Sequence, residues 1–200
     1  AVDCFTAQTY PYKELIIVNN AKTQFNASAL NIRARRDVVL IDTPHELSAG
    51  MARNYGISTA NGRILAQFDP DYWYAPNRLE AQVATLAQNE AAVSVLASTL
   101  QYSFLTGRAS RQTNDRKAIL GTMVFIRPKN IDYPNADKQE ELGILEGFQD
   151  QDAAIIAMDA PRLACKLVFT AAARKWEPEG DLSGEDLAVV RTALKGRHGR

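Results

Sequence analysis

Apolar segments of strand length recur along the first two thirds of the chain, and most of them are continuous rather than alternating with polar residues. They cover residues 14–19, 37–42, 63–68, 92–99 and 118–126. Continuous apolar strands are typical of sheets that helices cover on both faces, where neighbouring strands are usually parallel. The pattern therefore predicts an α/β fold built on a largely parallel sheet.

Three segments between these strands have the spacing of helices, namely 23–36, 47–59 and 76–89. The last is the clearest, because Pro76 suits a first helical turn and three apolar residues line one face, at positions 79, 83 and 86. Strands and helices thus alternate along the early part of the chain. This alternation predicts an open sheet whose ligands bind at the carboxyl ends of its strands.

The second part of the chain is less regular. After Arg127, prolines and asparagines interrupt the pattern, and an acidic stretch with glycines follows at 137–147, which predicts a long mobile loop. A helix is then expected to begin near Asp150. The final residues mix glycine, proline and charge around one short helix expected at 185–194. We therefore expect one domain over 1–175 and a C-terminal extension, partly helical, over 176–200.

The charges balance, with 23 basic and 23 acidic residues and a formal net charge of zero. No broad electrostatic field would draw such a chain onto nucleic acid or an anionic membrane. The sequence also shows neither a signal peptide nor an apolar run long enough to span a bilayer. These features predict a cytoplasmic protein whose partners bind in a pocket.

Two carboxylates separated by one residue follow the strand at 63–68, in the triplet Asp69-Pro70-Asp71. Carboxylate oxygens are ligands that Mg²⁺ and Mn²⁺ accept, and a cation held there can bind a diphosphate with its remaining positions. Aspartates at strand ends also accept turn hydrogen bonds or cap the next helix. The triplet alone leaves both interpretations open.

The sequence around the triplet resembles glycosyltransferase family 2 in several blocks that occur in order and at plausible spacing. The blocks are Gln8-Thr9-Tyr10-Pro11, residues 14–18, Ala52-Arg53-Asn54-Tyr55-Gly56-Ile57, residues 60–62, Trp73 and residues 76–82. The resemblance implies a GT-A fold, a Rossmann-like, mostly parallel sheet flanked by helices. It also implies metal-dependent, inverting transfer of a sugar from a nucleotide diphosphate donor, with UDP-sugars favoured, to a hydroxyl acceptor on a glycan or glycoconjugate.

The resemblance also assigns roles to individual residues. Asp71 would be a ligand of Mn²⁺ or Mg²⁺, and Asp69 would share the metal or contact the donor sugar or ribose. Arg53 would bind a phosphate, although an arginine on a solvated helix face is the alternative. Asn19 and Asn20 stand where relatives carry an acidic pair that contacts the nucleotide, and an amide donates as well as accepts hydrogen bonds.

Inverting members of the family use a carboxylate that takes the proton from the acceptor hydroxyl. In the segment 147–158, Asp150 stands where relatives have the aspartate of a Glu-Asp pair, and Gln149 replaces the glutamate. The resemblance therefore implies that Asp150 is the catalytic base. The structural alternative is an N-cap of the expected helix, and the two roles are compatible.

The family opens with a strand and a loop that this sequence does not match, because the resemblance starts within the helix that follows them. We expect the chain to be an excerpt of a longer protein, since an empty central slot would leave backbone groups unpaired. The missing strand, the Asn19-Asn20 pair and Gln149 also motivate a second hypothesis. In it, the chain is a catalytically silent GT-A module that binds a partner or a carbohydrate.

Overall fold

The computed structural model describes residues 1–21, 35–43, 46–113, 118–169 and 182–195. Helices in this part of the chain are α1 (Val2–Ala7), α2 (Ala49–Thr59), α3 (Arg78–Gln88), α4 (Glu140–Asp150) and α5 (Gly184–Lys195). The helices predicted at 47–59, 76–89 and 185–194 are confirmed as α2, α3 and α5. The helix predicted at 23–36 lies outside the described residues, except for its last two residues, which are not helical.

All five predicted strands are present within one to three residues of their expected limits, and further short strands join them. The strands are β1 (Leu15–Asn19), β2 (Val38–Asp42), β3 (Ile64–Ala66), β4 (Tyr72–Tyr74), β5 (Val93–Leu96), β6 (Thr99–Ser103), β7 (Arg108–Gln112), β8 (Ile119–Ile126), β9 (Ile155–Met158) and β10 (Ala164–Val168). Strands β4, β6, β7, β9 and β10 were not predicted: only Thr99 of β6 falls within a predicted strand, and the segment of β9 was expected to continue a helix.

Strand pairing is mixed rather than mostly parallel. Parallel pairs are β1 with β2, β5 with β9, and β6 with β10. In contrast, β8 runs antiparallel to both β3 and β5, β10 runs antiparallel to β4, and β6 forms a hairpin with β7. Of the predicted apolar strands, β5 is buried along its whole length, whereas β1, β2 and β3 are buried only in part. An apolar pattern does not fix strand direction, so it could not predict the antiparallel pairs that β8 forms with β3 and β5.

The core lies between the sheets and the helices that cover them. Val93, Val95 and Met123 are fully buried at its centre, in a cluster that also contains Ile144 and Phe148 of α4. On the other side, α5 packs Val190 and Ala193 against β6 and β10. The boundary expected at 175 and 176 lies outside the described residues.

The segment expected to be a loop at 137–147 instead enters a helix, because α4 begins at Glu140. Its apolar residues Ile144, Leu145 and Phe148 are buried on one face, a helical pattern that the surrounding acidic residues and glycines obscure in the sequence. Asp150 is the last residue of α4 and does not begin a helix, since 155–158 forms β9. The N-cap interpretation of Asp150 is therefore wrong.

A cleft of about 960 Å³ separates β1 from β3, with apolar residues of both strands on its walls. Among the described residues, β1 pairs with β2 and β3 pairs with β8, and no strand lies between β1 and β3. Asn19, Arg53 and Asp69 line the same cleft, so it connects the gap in the sheet with the predicted site. No helix in the described ranges has both the length and the apolar character needed to cross a membrane.

Candidate functional site

The predicted aspartates lie in the turn between β3 and β4. The backbone amide of Asp69 donates a hydrogen bond of 3.0 Å to the hydroxyl of Tyr74, which in turn donates to the carbonyl of Gly121 at 3.2 Å. A Cβ at Gly121 would lie 2.7 Å from Oδ2 of Asp69, so glycine at this position leaves room for the carboxylate. The turn is thus held in place by buried neighbours of β4 and β8.

Arg53 of α2 is the centre of the site's charge network. Its guanidinium contacts Oδ1 of Asp69 at 3.3 Å, Oε1 of Glu140 at 3.2 Å and Oε1 of Glu141 at 2.9 Å. A quarter of its side chain is exposed, and the guanidinium lies 5.6 Å from the ring of Tyr133. Arg53 is therefore a half-buried cation between carboxylates, and the alternative of a solvated helix-face arginine is wrong for this structure.

Glu141 is placed in the site because α4 begins beside α2. Its Oε1 accepts a hydrogen bond of 2.8 Å from Nε2 of Gln67 in addition to the contact with Arg53. Burial raises the pKa of Glu141, and the positive charge of Arg53 opposes that rise only in part. Burial likewise raises the pKa of Asp69, again against the effect of Arg53. The site thus contains carboxylates with increased basicity.

Asp71 lies on the more open side of the turn, with 44% of its side chain exposed. Its Oδ2 is 3.7 Å from Nζ of Lys166 on β10, and its carbonyl accepts a hydrogen bond of 2.7 Å from the backbone amide of Leu167. The two aspartates of the triplet therefore have different surroundings. Asp69 faces the buried Arg53, whereas Asp71 faces a half-exposed lysine.

The two asparagines at the end of β1 make structural hydrogen bonds. Asn20 donates from Nδ2 to the carbonyl of Leu47 at 2.6 Å, and its Oδ1 accepts from the amide of Leu47 at 2.7 Å. Asn19 donates from Nδ2 to Oδ1 of Asp42 at 2.7 Å. Both side chains hold the segment that follows β2, and Asn19 also lines the cleft.

Asp150 lies at the other end of α4 from the network. It is exposed and lies nine positions after Glu141 in the helix, which corresponds to ~14 Å along the helix axis. The structure therefore brings together Arg53 and Asp69 of the predicted site residues, with Asn19 on the same cleft and Asp71 beside them in the turn. It does not bring Asp150 to this group.

The sequence did not identify four residues of this region as members of the site, namely Glu140, Glu141, Gln67 and Lys166. A Glu-Glu pair followed by an apolar helical face was the available signal, since acidic residues in a first turn and apolar residues at 144, 145 and 148 indicate a helix start. Lys166 carried no such signal, because only the pairing of β10 with β4 places it beside Asp71.

Close packing of Gly50 joins α2 to the segment that leads into α4. A Cβ at Gly50 would lie 1.8 Å from the carbonyl oxygen of Pro134, and the amide of Gly50 donates to the carbonyl of Ala136 at 3.0 Å. We expect Gly50→Ala to lower the free energy of unfolding by at least about 2 kcal/mol, because backbone must move to relieve the overlap. Urea denaturation measures this change.

The matched control is Gly184→Ala at the first residue of α5, where an added Cβ meets nothing within 4 Å. We expect its denaturation midpoint to stay at or above the wild-type value, because alanine is the better helix former. Equal midpoints for the two variants would show that α2 and the 134–136 segment do not pack as described.

The donor set of the triplet suits a hard divalent cation. The carboxylates of Asp69 and Asp71 offer oxygen ligands on one turn, and Mg²⁺ commonly uses one or two protein carboxylates together with substrate phosphates and water. Within the described ranges, no group of three or more histidines, cysteines, aspartates or glutamates is placed to hold a metal ion. A cation bound here would therefore need ligands beyond the side chains that the described ranges place at this turn, such as phosphate oxygens and water.

Comparisons with known proteins bear on the family and the fold. The profile of glycosyl transferase family 2 matches residues 1–157. The 1–349 segment of S. aureus TarS gives a TM-score of 0.65 at 13% identity, covering 83% of this chain and 55% of that chain. The same segment in complex with UDP gives a TM-score of 0.66 at 14% identity, covering 97% of this chain and 59% of that chain. Its complex with UDP-GlcNAc gives a TM-score of 0.57 at 14% identity, covering 97% of this chain and 60% of that chain.

The chain thus spans less than two thirds of the length of these structural neighbours, and a search of curated protein sequences gave no match. At such low identity the structural likeness establishes the fold, which is the GT-A architecture of sheets flanked by helices. The family profile covers most of the sequence. On that ground the chain belongs to glycosyl transferase family 2.

Proposed function

We propose that this domain transfers a sugar from a nucleotide diphosphate donor to a hydroxyl group of a glycan or glycoconjugate, with inversion at the anomeric carbon. The observation that carries the proposal is the ion-pair group of Arg53, Asp69 and Glu141, of which Arg53 and Asp69 line the cleft between β1 and β3. A UDP-sugar is the favoured donor, because UDP and UDP-GlcNAc are bound in the TarS structures that share this fold.

The donor would lie with its diphosphate beside the β3–β4 turn. Arg53 offers a fixed positive charge there, and Asn19 lines the cleft at the end of β1, where the nucleotide would lie. Asn20 would act through the segment that it holds in place. The fold positions these groups at the carboxyl ends of strands, where open α/β sheets bind their ligands.

Asp71 and Asp69 would hold Mn²⁺ or Mg²⁺ together with the donor's phosphate oxygens. When bound, such a cation stabilises the negative charge that develops on the departing diphosphate. Asp71 is the better placed of the two, because its carboxylate is more exposed and is not engaged by Arg53.

The structure favours Glu141 over Asp150 as the catalytic base. As the acceptor oxygen forms its bond to the anomeric carbon, the bond to the diphosphate breaks and its electron pair leaves with the phosphate oxygen. The acceptor's proton passes to a carboxylate on the acceptor side. Glu141 lies within the charge network and has a raised pKa, whereas Asp150 lies at the far end of α4. Asp150 stays the alternative base that the sequence suggests.

Release of nucleoside diphosphate from a panel of nucleotide-sugars, with Mn²⁺ and a panel of glycan acceptors, tests the proposal. We expect release with at least one UDP-sugar, and we expect Asp71→Asn to lower it by about 10²-fold or more, because a ligand of the cation is lost. Asp132→Asn, at an exposed position outside the site, is the matched control and should retain the wild-type rate.

If Asp71→Asn remains folded and as active as the wild type, the metal assignment is wrong. Absence of both binding and turnover for every donor would instead support the silent GT-A module. The cytoplasmic location expected from the sequence stays a prediction, which fractionation of the source cells would test.

A further inference from the structure

Lys166 is the nearest described cation to Asp71, and its position is fixed by strand pairing. The register of β10 against β4 places Lys166 opposite Tyr72, the residue that follows Asp71. The backbone amide of the next residue, Leu167, donates to the carbonyl of Asp71 at 2.7 Å. Lys166 therefore differs from a freely moving surface lysine, because it lies in a paired strand and the next residue is bonded to Asp71, which its own side chain faces.

The surroundings of the ammonium group suit an anion. Nζ of Lys166 lies 3.7 Å from Oδ2 of Asp71 and 5.4 Å from the centre of the Tyr72 ring, with about a third of the side chain exposed. Tyr72 is itself buried, so one side of the lysine is shielded from water. A partly shielded ammonium facing an open turn retains a strong attraction for phosphate.

Positive side chains thus flank the triplet on both sides. Arg53 contacts Asp69 at 3.3 Å and Lys166 contacts Asp71 at 3.7 Å. A diphosphate that approaches this turn meets both cations, whereas a divalent cation that approaches Asp71 is repelled by Lys166. The two kinds of ligand therefore experience opposite effects from the same lysine.

We propose that Lys166 is a binding residue for the donor diphosphate, and that it gives this site an affinity for nucleoside diphosphate that does not depend on a metal ion. This proposal rests on the proposed function, because it assumes that a nucleotide diphosphate binds at the Asp69–Asp71 turn. Arg53 holds the other side of the same anion. The divalent cation and Lys166 then share the neutralisation of the diphosphate charge.

Isothermal titration calorimetry with UDP, in Mn²⁺ and separately in EDTA, tests the proposal on the wild type, Lys166→Gln and Lys166→Arg. We expect the wild type to bind UDP in both buffers. In EDTA, Lys166→Gln should bind UDP at least about fivefold more weakly, and Lys166→Arg should recover most of the affinity because it keeps the charge. Lys129→Gln, an exposed lysine beyond the opposite end of β3, is the matched control.

A titration of Mn²⁺ without nucleotide supplies the second readout. We expect Lys166→Gln to bind Mn²⁺ about twofold or more tightly than the wild type, because the repulsion at Asp71 is removed. Weaker binding of both UDP and Mn²⁺ would indicate a structural role and overturn the proposal, as would unchanged UDP binding in EDTA. If the wild type binds UDP only with Mn²⁺, the proposal fails while the proposed function stands. If UDP binds in neither buffer, both fail.

Discussion

Replacement of Glu141 by glutamine is expected to lower the rate of sugar transfer by about 10²- to 10⁴-fold, the usual contribution of a positioned general base. Glutamine keeps the oxygen that accepts from Gln67 and Arg53, so the site's hydrogen bonds are retained while the proton acceptor is lost. Donor binding should change little, and the loss should appear in kcat. Initial rates of nucleoside diphosphate release with saturating acceptor measure it.

Asp150→Asn is the matched comparison, because it neutralises the carboxylate at the other end of the same helix. We expect it to keep the wild-type rate. The reverse result, with Asp150→Asn inactive and Glu141→Gln active, would return the base to Asp150 and show that α4 is not placed as described.

The pH dependence of kcat distinguishes a base from a residue that only binds Arg53. A carboxylate base is active when ionised, so activity should fall as the pH drops through the pKa of Glu141. Burial raises that pKa, so the acid limb should lie above the ordinary glutamate value of about 4.3. This acid limb should be absent from the pH profile of the residual kcat of Glu141→Gln.

Replacement of Arg78 by alanine is expected to lower the free energy of unfolding by at least about 3 kcal/mol. Arg78 is completely buried, and it donates to the carbonyls of Gln67 at 2.9 Å and Thr122 at 3.0 Å and to Oε1 of Gln82 at 2.8 Å. Its guanidinium also lies 4.2 Å from the centre of the Tyr74 ring. Alanine removes all three hydrogen bonds and creates a cavity, although the carbonyl of Thr122 keeps another donor, Nε2 of Gln82 at 3.0 Å.

Urea denaturation measures the loss, and Arg191→Ala on the exposed face of α5 is the control, expected within about 0.5 kcal/mol of the wild type. Arg78→Lys keeps the charge but has a single donor group, so the free energy of unfolding of this variant should lie between those of Arg78→Ala and the wild type. If Arg78→Ala unfolds at the wild-type midpoint, the buried network does not stabilise the fold.

Arg78 illustrates which features of the fold could be predicted from the sequence and which could not. Pro76 and the apolar residues of α3 predicted that helix, and the block around Arg78 contributed to the family resemblance. The sequence did not show that Arg78 points inwards, because a charged residue near a helix start is usually solvated. Its burial is possible only because carbonyls from two other segments, at 67 and 122, converge on it.

The sequence did not single out Glu141 for a related reason. Acidic residues and glycines at 137–147 are typical of loops, and the three apolar residues that bury one face of α4 are too few to outweigh them. The helix forms because Ile144, Leu145 and Phe148 are buried in one apolar cluster with residues of β8 and its neighbours. That energy comes from tertiary packing, which local composition does not report.

The sequence by itself determined the α/β class, the main strands, the family and the aspartate turn, because these depend on the local patterns of successive segments and on their order along the chain. Tertiary structure decided the strand directions and the placement of Glu141 and Lys166 beside Asp69 and Asp71. These contacts join residues far apart in the chain. Their energies depend on the packing of whole elements, and no single segment contains that information.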